Sequence, residues 1–387
     1  MLAGVQYVQF QRALPEAVGA NYGMPLRYSL KAAGLAQTQA QPLYISNPDA
    51  EAGVFTYLVG EQKRFDGRYT FVLPQGSASY LADASAGFAY AELASLGHQV
   101  AQVATPSGRI AYGLFALPAE TTATAGMQPL DADVGHSIRL LGYDARNLRA
   151  GAPSAVHVAW QVTDPHGPIP GDLRQFAHLV DASGVLWSTN PDFRGYPRPY
   201  WQTGDAVVSA FDLRLPANTP TGGYWLETGF YEPISGQRVP QYRAGQPAGT
   251  AARIGPLKVT GVSPNAGDAR QVATFGDGQM ALLGAQRTST GITLRWQALK
   301  KPEHDYTVFV HVLDAQGGLV AQQDSPPREG NYPTSLWAAG EVVDDPHPLS
   351  FTTQPGQQLE IGLYTFPDLH RLPVDGANTD RVLLPIS

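Results

Sequence analysis

The sequence predicts a mostly β protein: a small α/β unit over residues 1–125, then two tandem antiparallel β-sandwiches of Ig-like or jelly-roll-like type over residues 128–260 and 263–387. Three observations carry this reading. Glycine (41) and proline (32) recur between short apolar runs, the punctuation of many strands and turns. A long internal repeat fills the carboxy-terminal two thirds. Hydrophobic residues at 43% are ample for sizeable cores, whereas charged residues at 15% are sparse.

In chain order, "MPLRYSLKAAGLAQ" places Pro25 in the first turn of a helix, where its missing N–H costs nothing. Leu26, Leu30, Ala33 and Leu35 follow at near-helical spacing. "QPLYISN" reads as a short buried strand, and "VFTYLVG", "RYTFVLP" and "SASYLAD" as further strands. "GFAYAELASLG" is a second helix ended by Gly97, and "HQVAQVATPSGRIAYGLFALP" a hairpin turning at its "PSG". The expectation is a small open sheet with two helices.

The repeat is plainest in "YPRPYWQTGDAVV" from Tyr196 and "YPTSLWAAGEVV" from Tyr332. Trp201 and Trp337 lie 136 positions apart (337 − 201), as do Trp160 and Trp296 (296 − 160). "FAHLVDASGVL" matches "VFVHVLDAQGGL", pairing His178 with His311 and Asp181 with Asp314. "LETGFYEPISGQRVP" matches "LEIGLYTFPDLHRLPV", pairing Tyr231 with Tyr364. Each copy holds short alternating runs separated by turn residues, the pattern of a sandwich. In "AVHVAWQV" the residues Val156, Val158 and Trp160 point one way and His157, Ala159 and Gln161 the other. "DASG" and "DAQGG" are hairpin turns, and "VTGVSPNAGDARQ" has the composition of a linker.

Several function classes fall away. A net charge of −7 gives no basic footprint for nucleic acid. The chain has no cysteine, which excludes disulfides, thiolate catalysis and cysteine-bound zinc, and fits an extracytoplasmic protein that does without disulfides. No run has the length of a membrane-spanning helix, and the opening "MLAGVQYVQF" reads as neither signal peptide nor anchor. No nucleophile elbow, phosphate loop or dinucleotide fingerprint occurs, and the nine histidines are dispersed. Asp344 with Asp345, and Asp205 with Glu341 in matching loops, are the visible carboxylate pairs, but they do not converge on one cleft. No catalytic residue, metal or cofactor is therefore expected.

Two repeated features invite a binding role. His178 and His311 read first as half-buried strand histidines bonding a backbone group, and only second as ligands. Tyr196, Tyr200, Trp201, Tyr332 and Trp337 form the candidate glycan-binding set, because flat rings on a proline-framed loop suit sugar C–H faces. The competing reading, which is preferred, has Trp201 and Trp337 plugging the open end of each sandwich. Tyr200, with Leu336 at its place in the second copy, is the better candidate for ligand contact.

"LRWQA", "DYTVFVHVLDAQG", "YPTSLWAAGE" and "IGLY", with "NYGMPLRY", "PLYISNP", "RFDGRYTFVLP" and "SASYLAD" upstream, carry a resemblance over nearly the whole chain. It resembles the soluble carboxy-terminal region of bacterial membrane glycosyltransferases of the dolichyl-phosphate-mannose mannosyltransferase and aminoarabinose-transferase type. The resemblance implies an exported, non-catalytic accessory region at the cell surface, tied to the membrane only through a segment outside this chain. Its partner would be a glycan or a surface protein. In that family the catalytic acids sit between early membrane helices, so none is carried over. The alternative is a free-standing structural surface protein of the same modules.

Overall fold

A computed structural model of the chain describes residues 26–39, 42–46, 52–60, 62–85, 87–189, 195–267 and 270–386; the opening decapeptide and Pro25 lie outside them. Strand outweighs helix, 47% against 11%, as the mostly β prediction requires.

The amino-terminal unit is a mixed sheet in the order Lys63–Phe65, Leu43–Ser46, Ala78–Asp83, Ile110–Leu117, His98–Ala104. Strand Leu43–Ser46 is parallel to both its neighbours, and the remaining pairings are antiparallel. Leu43 and Ile45 face helices Leu26–Gln37 and Ala52–Val59, packing with Tyr28, Ala33 and Phe55. Tyr44 faces the other side, where helix Gly87–Leu96 adds Ala89 and Leu93. Burial on both faces explains why "LYIS" is continuously apolar in its core.

The segment "VFTYLVG", expected as a strand, belongs to helix Ala52–Val59. Its β-branched and aromatic residues favour a strand in isolation. Parallel neighbours, however, need a crossover between them, and this helix supplies it. Phe55 anchors it edge-on to Tyr112 at 5.7 Å. The described residues thus hold three helices rather than two.

Both repeats are two-sheet sandwiches. In the first, strands Gln128–Val134, Ile138–Asp144, Pro153–Val162 and Ala206–Arg214 face Arg174–Val180, Gly222–Tyr231 and Ala252–Thr260. In the second, Ala273–Phe275, Met280–Arg287, Gly291–Ala298 and Val342–Pro348 face Leu319–Ser325, Tyr306–Leu313, Gln358–Thr365 and Val382–Pro385. Trp160 and Trp296 occupy matching core places at 3% and 0% exposure. Trp160 donates its indole N–H to Ser209 Oγ at 3.1 Å, while Asp345 stands at the Ser209 position of the second copy.

The two copies differ at one edge. Strand Thr70–Leu73, from the amino-terminal segment, pairs antiparallel with Ala206–Arg214 and matches Val72 to Val207. All four of its residues are buried, and one apolar core therefore runs from Tyr44 and Phe71 to Trp160 and Trp201. The equivalent edge of the second copy, Val342–Pro348, carries Pro346 and Pro348, which have no N–H to offer a further strand. Arg328 Nε also donates to Asp344 O there, at 3.0 Å.

Candidate functional site

The repeated phrase folds the same way twice, on one shared set of bonds. Trp201 donates its indole N–H to Tyr196 O at 2.9 Å, and Trp337 to Tyr332 O at 3.0 Å. The Tyr196 hydroxyl donates to Asp205 at 2.9 Å, and the Tyr332 hydroxyl to Glu341. Each acid accepts a backbone N–H one residue after the tryptophan, from Gln202 and Ala338, both at 2.9 Å. Gly204 and Gly340 supply the left-handed turn between, at φ 90° and 83°, and donate to Val162 O and Ala298 O. The phrase is a buckle that closes a loop onto the central tryptophan strand.

Each buckle receives a lysine from the module before it. Lys63, in the amino-terminal sheet, lies 3.7 Å from Asp205 and donates to Tyr44 Oη at 3.0 Å. Lys258, on the last long strand of the first sandwich, meets Glu341 at 2.5 Å and donates to Leu336 O at 2.7 Å. These are two of only five lysines in the chain. Burial pushes the Asp205 carboxyl above its ordinary value, against the pull of Tyr196 and Lys63, and burial lowers the Lys63 ammonium. Burial also raises the Tyr196 and Tyr332 phenols, so both remain neutral donors. At the second joint a Cβ on Gly223 would come within 1.8 Å of Asn331 O, so the bare glycine lets the two sandwiches touch.

Of the candidate binding residues, Tyr196, Trp201, Tyr332 and Trp337 are buried, at 5%, 6%, 1% and 1% exposure. Their rings serve the buckles. Tyr200 is half-buried on the core, and its carbonyl, 2.6 Å from the Tyr196 hydroxyl, shares that hydroxyl's one proton with Asp205. Asp205 and Glu341 lie in separate buckles. Asp344 and Asp345 point apart, the first to Arg295 at 2.7 Å and the second to buried His347 at 2.8 Å. Asp345 also accepts the Arg328 N–H at 2.7 Å and so holds a turn in which Arg328 and Glu329 both have positive φ. His311, read as bonding a backbone group, bonds carboxylates instead: Glu360 at 2.7 Å and Asp324 at 3.2 Å. Register puts Glu360 directly opposite it. Among the described residues no group of three or more His, Asp or Glu is placed to hold a metal ion.

One cleft of about 350 Å³, lined by His166, Arg198 and Trp201, touches the candidate set; two larger ones lie elsewhere, at the same end of both sandwiches, and sequence reasoning missed them. In the second copy a cleft of about 710 Å³ opens between Asp277, His304, Asp305, Phe366, Asp368 and His370. In the first, a cleft of about 410 Å³ is lined by His136, Pro168, Ile169, Pro170, Arg238 and Tyr242. Their frames coincide. Gly135–His136 and Gly276–Asp277 all have positive φ, and Gly135 and Gly276 donate to Pro240 O and Pro373 O. Arg238 lies over the Phe176 ring and Arg371 over Phe309. The one available sequence signal was that "EPISGQ" and "TFPDLH" occupy matching loops with unlike residues.

No protein-family model matches the chain, and no curated protein matches it. Among solved structures, the C-terminal domain of Wzt aligns at 12% identity and a TM-score of 0.23, over 35% of this chain and 82% of that one. The BSP domain of a biofilm-associated protein aligns at 11% identity and a TM-score of 0.15, over 63% of this chain and 29% of that one. A point mutant of Salmonella alpha-2-macroglobulin gives 11% and 0.20, over 70% of this chain and 16% of that one. The chain thus spans less than a third of the latter two. The Wzt domain and the biofilm-associated domain are distant β-domain proteins. No helix among the described residues is long and apolar enough to cross a membrane.

Proposed function

We propose that the chain is a non-catalytic, extracytoplasmic accessory region of a glycosyltransferase-like membrane protein, and that it faces a glycan. The observation that carries this reading is the pair of lysine-clasped buckles, which join three units through partly buried polar contacts. Such joints suit a region that holds surfaces at set positions, where a hydrolase needs convergent acids and bases instead. The sequence resemblance supplies the membrane-protein context. The coding sequence upstream of Met1, read in frame, tests that context: a series of apolar spans is expected, and a stop codon without them removes it. A glycan array probed with the full chain tests the glycan-facing part, and uniform absence of binding removes that.

A second reading, a structural surface protein that packs against partners, draws on one observation. Both repeats carry an exposed apolar hairpin tip, Val185–Leu186 and Leu319–Val320, each residue 45% exposed or more.

A further inference from the structure

We propose that the cleft at the end of the second sandwich, between Asp277, His304, Asp305, Phe366 and Asp368, binds an uncharged or amine-bearing saccharide. This deepens the glycan-facing reading and rests on it. The argument begins from the contrast between two clefts on one frame. In the first copy the frame is filled from within: His136 stacks on Tyr242 at 4.2 Å, and Ile169 lies buried between Pro168 and Pro170. Arg198 then ties that loop down, donating to the carbonyls of Pro165, Gly167, Ile169 and Pro170. In the second copy Thr334 stands at the Arg198 position and makes a smaller tie, to His304 O at 2.7 Å. The cleft is left wider and lined by side chains that face solvent.

Those side chains are held in place while their polar ends stay available. Asp277 sits in a turn fixed from below, because Asp375 accepts its N–H at 2.9 Å and that of Gly278 at 2.8 Å. No described donor meets the Asp277 carboxylate itself. Asp305 uses Oδ1 to accept the Ser335 N–H at 2.9 Å, and Asp368 uses Oδ1 to accept the Thr365 hydroxyl at 2.6 Å. The second Asp305 oxygen remains open to a ligand hydroxyl, whereas the Asp368 carboxylate also takes the N–H groups of its own residue and of His370. Preformed acceptors of this kind bind without an ordering cost. Phe366, 73% exposed beside Pro367, adds a flat apolar face of the sort that sugar C–H edges cover. The volume lies in the range of small-ligand clefts, roughly 300–1,000 Å³.

Charge decides the class of saccharide. The three carboxylates repel uronates, sulfates and phosphates, while they accept from hydroxyls and attract amines. The nearest ammonium, Lys300, is turned to Asp277 O at 2.8 Å and serves the turn.

The test is calorimetric titration of the full chain with glucosamine oligosaccharides, mannan oligosaccharides and oligogalacturonates. Binding of the first two and not the third is expected. Phe366→Ala and Asp305→Asn, at exposed positions and with the amide oxygen of asparagine still able to accept the Ser335 N–H, should each weaken it roughly tenfold. Tyr242→Ala in the first cleft should leave it unchanged. Saccharide binding indifferent to Phe366→Ala and Asp305→Asn overturns the cleft and spares the glycan-facing reading. Preference for oligogalacturonate overturns the charge argument and the proposal with it. Failure of every saccharide to bind overturns both cleft and reading.

Discussion

Replacing Lys258 with methionine keeps the aliphatic stem and removes the ammonium that joins the two sandwiches. Glu341 would lose its counter-charge at 2.5 Å while retaining the Tyr332 hydroxyl and the Ala338 N–H. Breaking a fully buried ion pair from one side costs ~3–5 kcal/mol. Here the lysine side chain is 24% exposed and the glutamate 7%, so solvent recovers part of that loss. The surviving donors recover more, and we expect a destabilisation of about 2 kcal/mol. Urea unfolding of the full chain, followed by tryptophan fluorescence, measures it. The decisive form is a double-mutant cycle with Glu341→Gln, in which the coupling should exceed ~1 kcal/mol. Single losses that add to within ~0.5 kcal/mol would refute the clasp and leave the joint to packing alone.

Three further perturbations probe other links. Gly223→Ala drives a Cβ into Asn331 O at the inter-sandwich contact, so small-angle scattering should show a changed particle shape with both sandwiches still folded; an unaltered profile removes glycine's role at the joint. Trp337→Ala deletes a side chain only 1% exposed and should cost ~3–5 kcal/mol, whereas half-buried Tyr200→Ala should cost clearly less; equal losses in urea would contradict the buckle. His157 stacks on Phe88 at 5.2 Å, and burial lowers its pKa below 6.5, with Asp144 opposing and Arg146 reinforcing the shift. A base with a depressed folded pKa contributes stability that is complete above its unfolded value and is lost as pH falls through it. The melting temperature should therefore drop between about pH 7.5 and about pH 5, and His157→Gln should flatten the drop; an unchanged slope excludes this histidine as its source.

Much of the fold was legible because its signals are local. The turn aspartates show this: Asp181 accepts the N–H groups of Ser183 and Val185, and Asp314 those of Gln316 and Gly318, as "DASG" and "DAQGG" imply. The matched tryptophans likewise marked the core, since a large ring surrounded by alternating residues has few other places to go. Helix Ala52–Val59 was not legible, because the crossover demand that fixes it comes from neighbouring strands and not from its own residues. Nor was Thr70–Leu73 as an added strand of the first sandwich, for its partner lies far along the chain. The buckle's tyrosine, tryptophan and acid could be read as scaffold. Its lysines could not, since the second pair spans 83 positions and no periodicity links them. The end clefts stayed hidden for the same reason: each gathers three loops whose meeting depends on sheet geometry.

The unequal edges of the two sandwiches bear on how the chain can be divided. Strand Ala206–Arg214 takes Thr70–Leu73 as its neighbour and has no proline of its own, so cutting away the amino-terminal unit would bare a ladder of free donors and acceptors beside Val207 and Phe211. A ladder of that kind templates self-association. Residues 263–387, guarded by Pro346 and Pro348, can be excised without that hazard, and the natural unit for the first sandwich includes the amino-terminal sheet that shares its core.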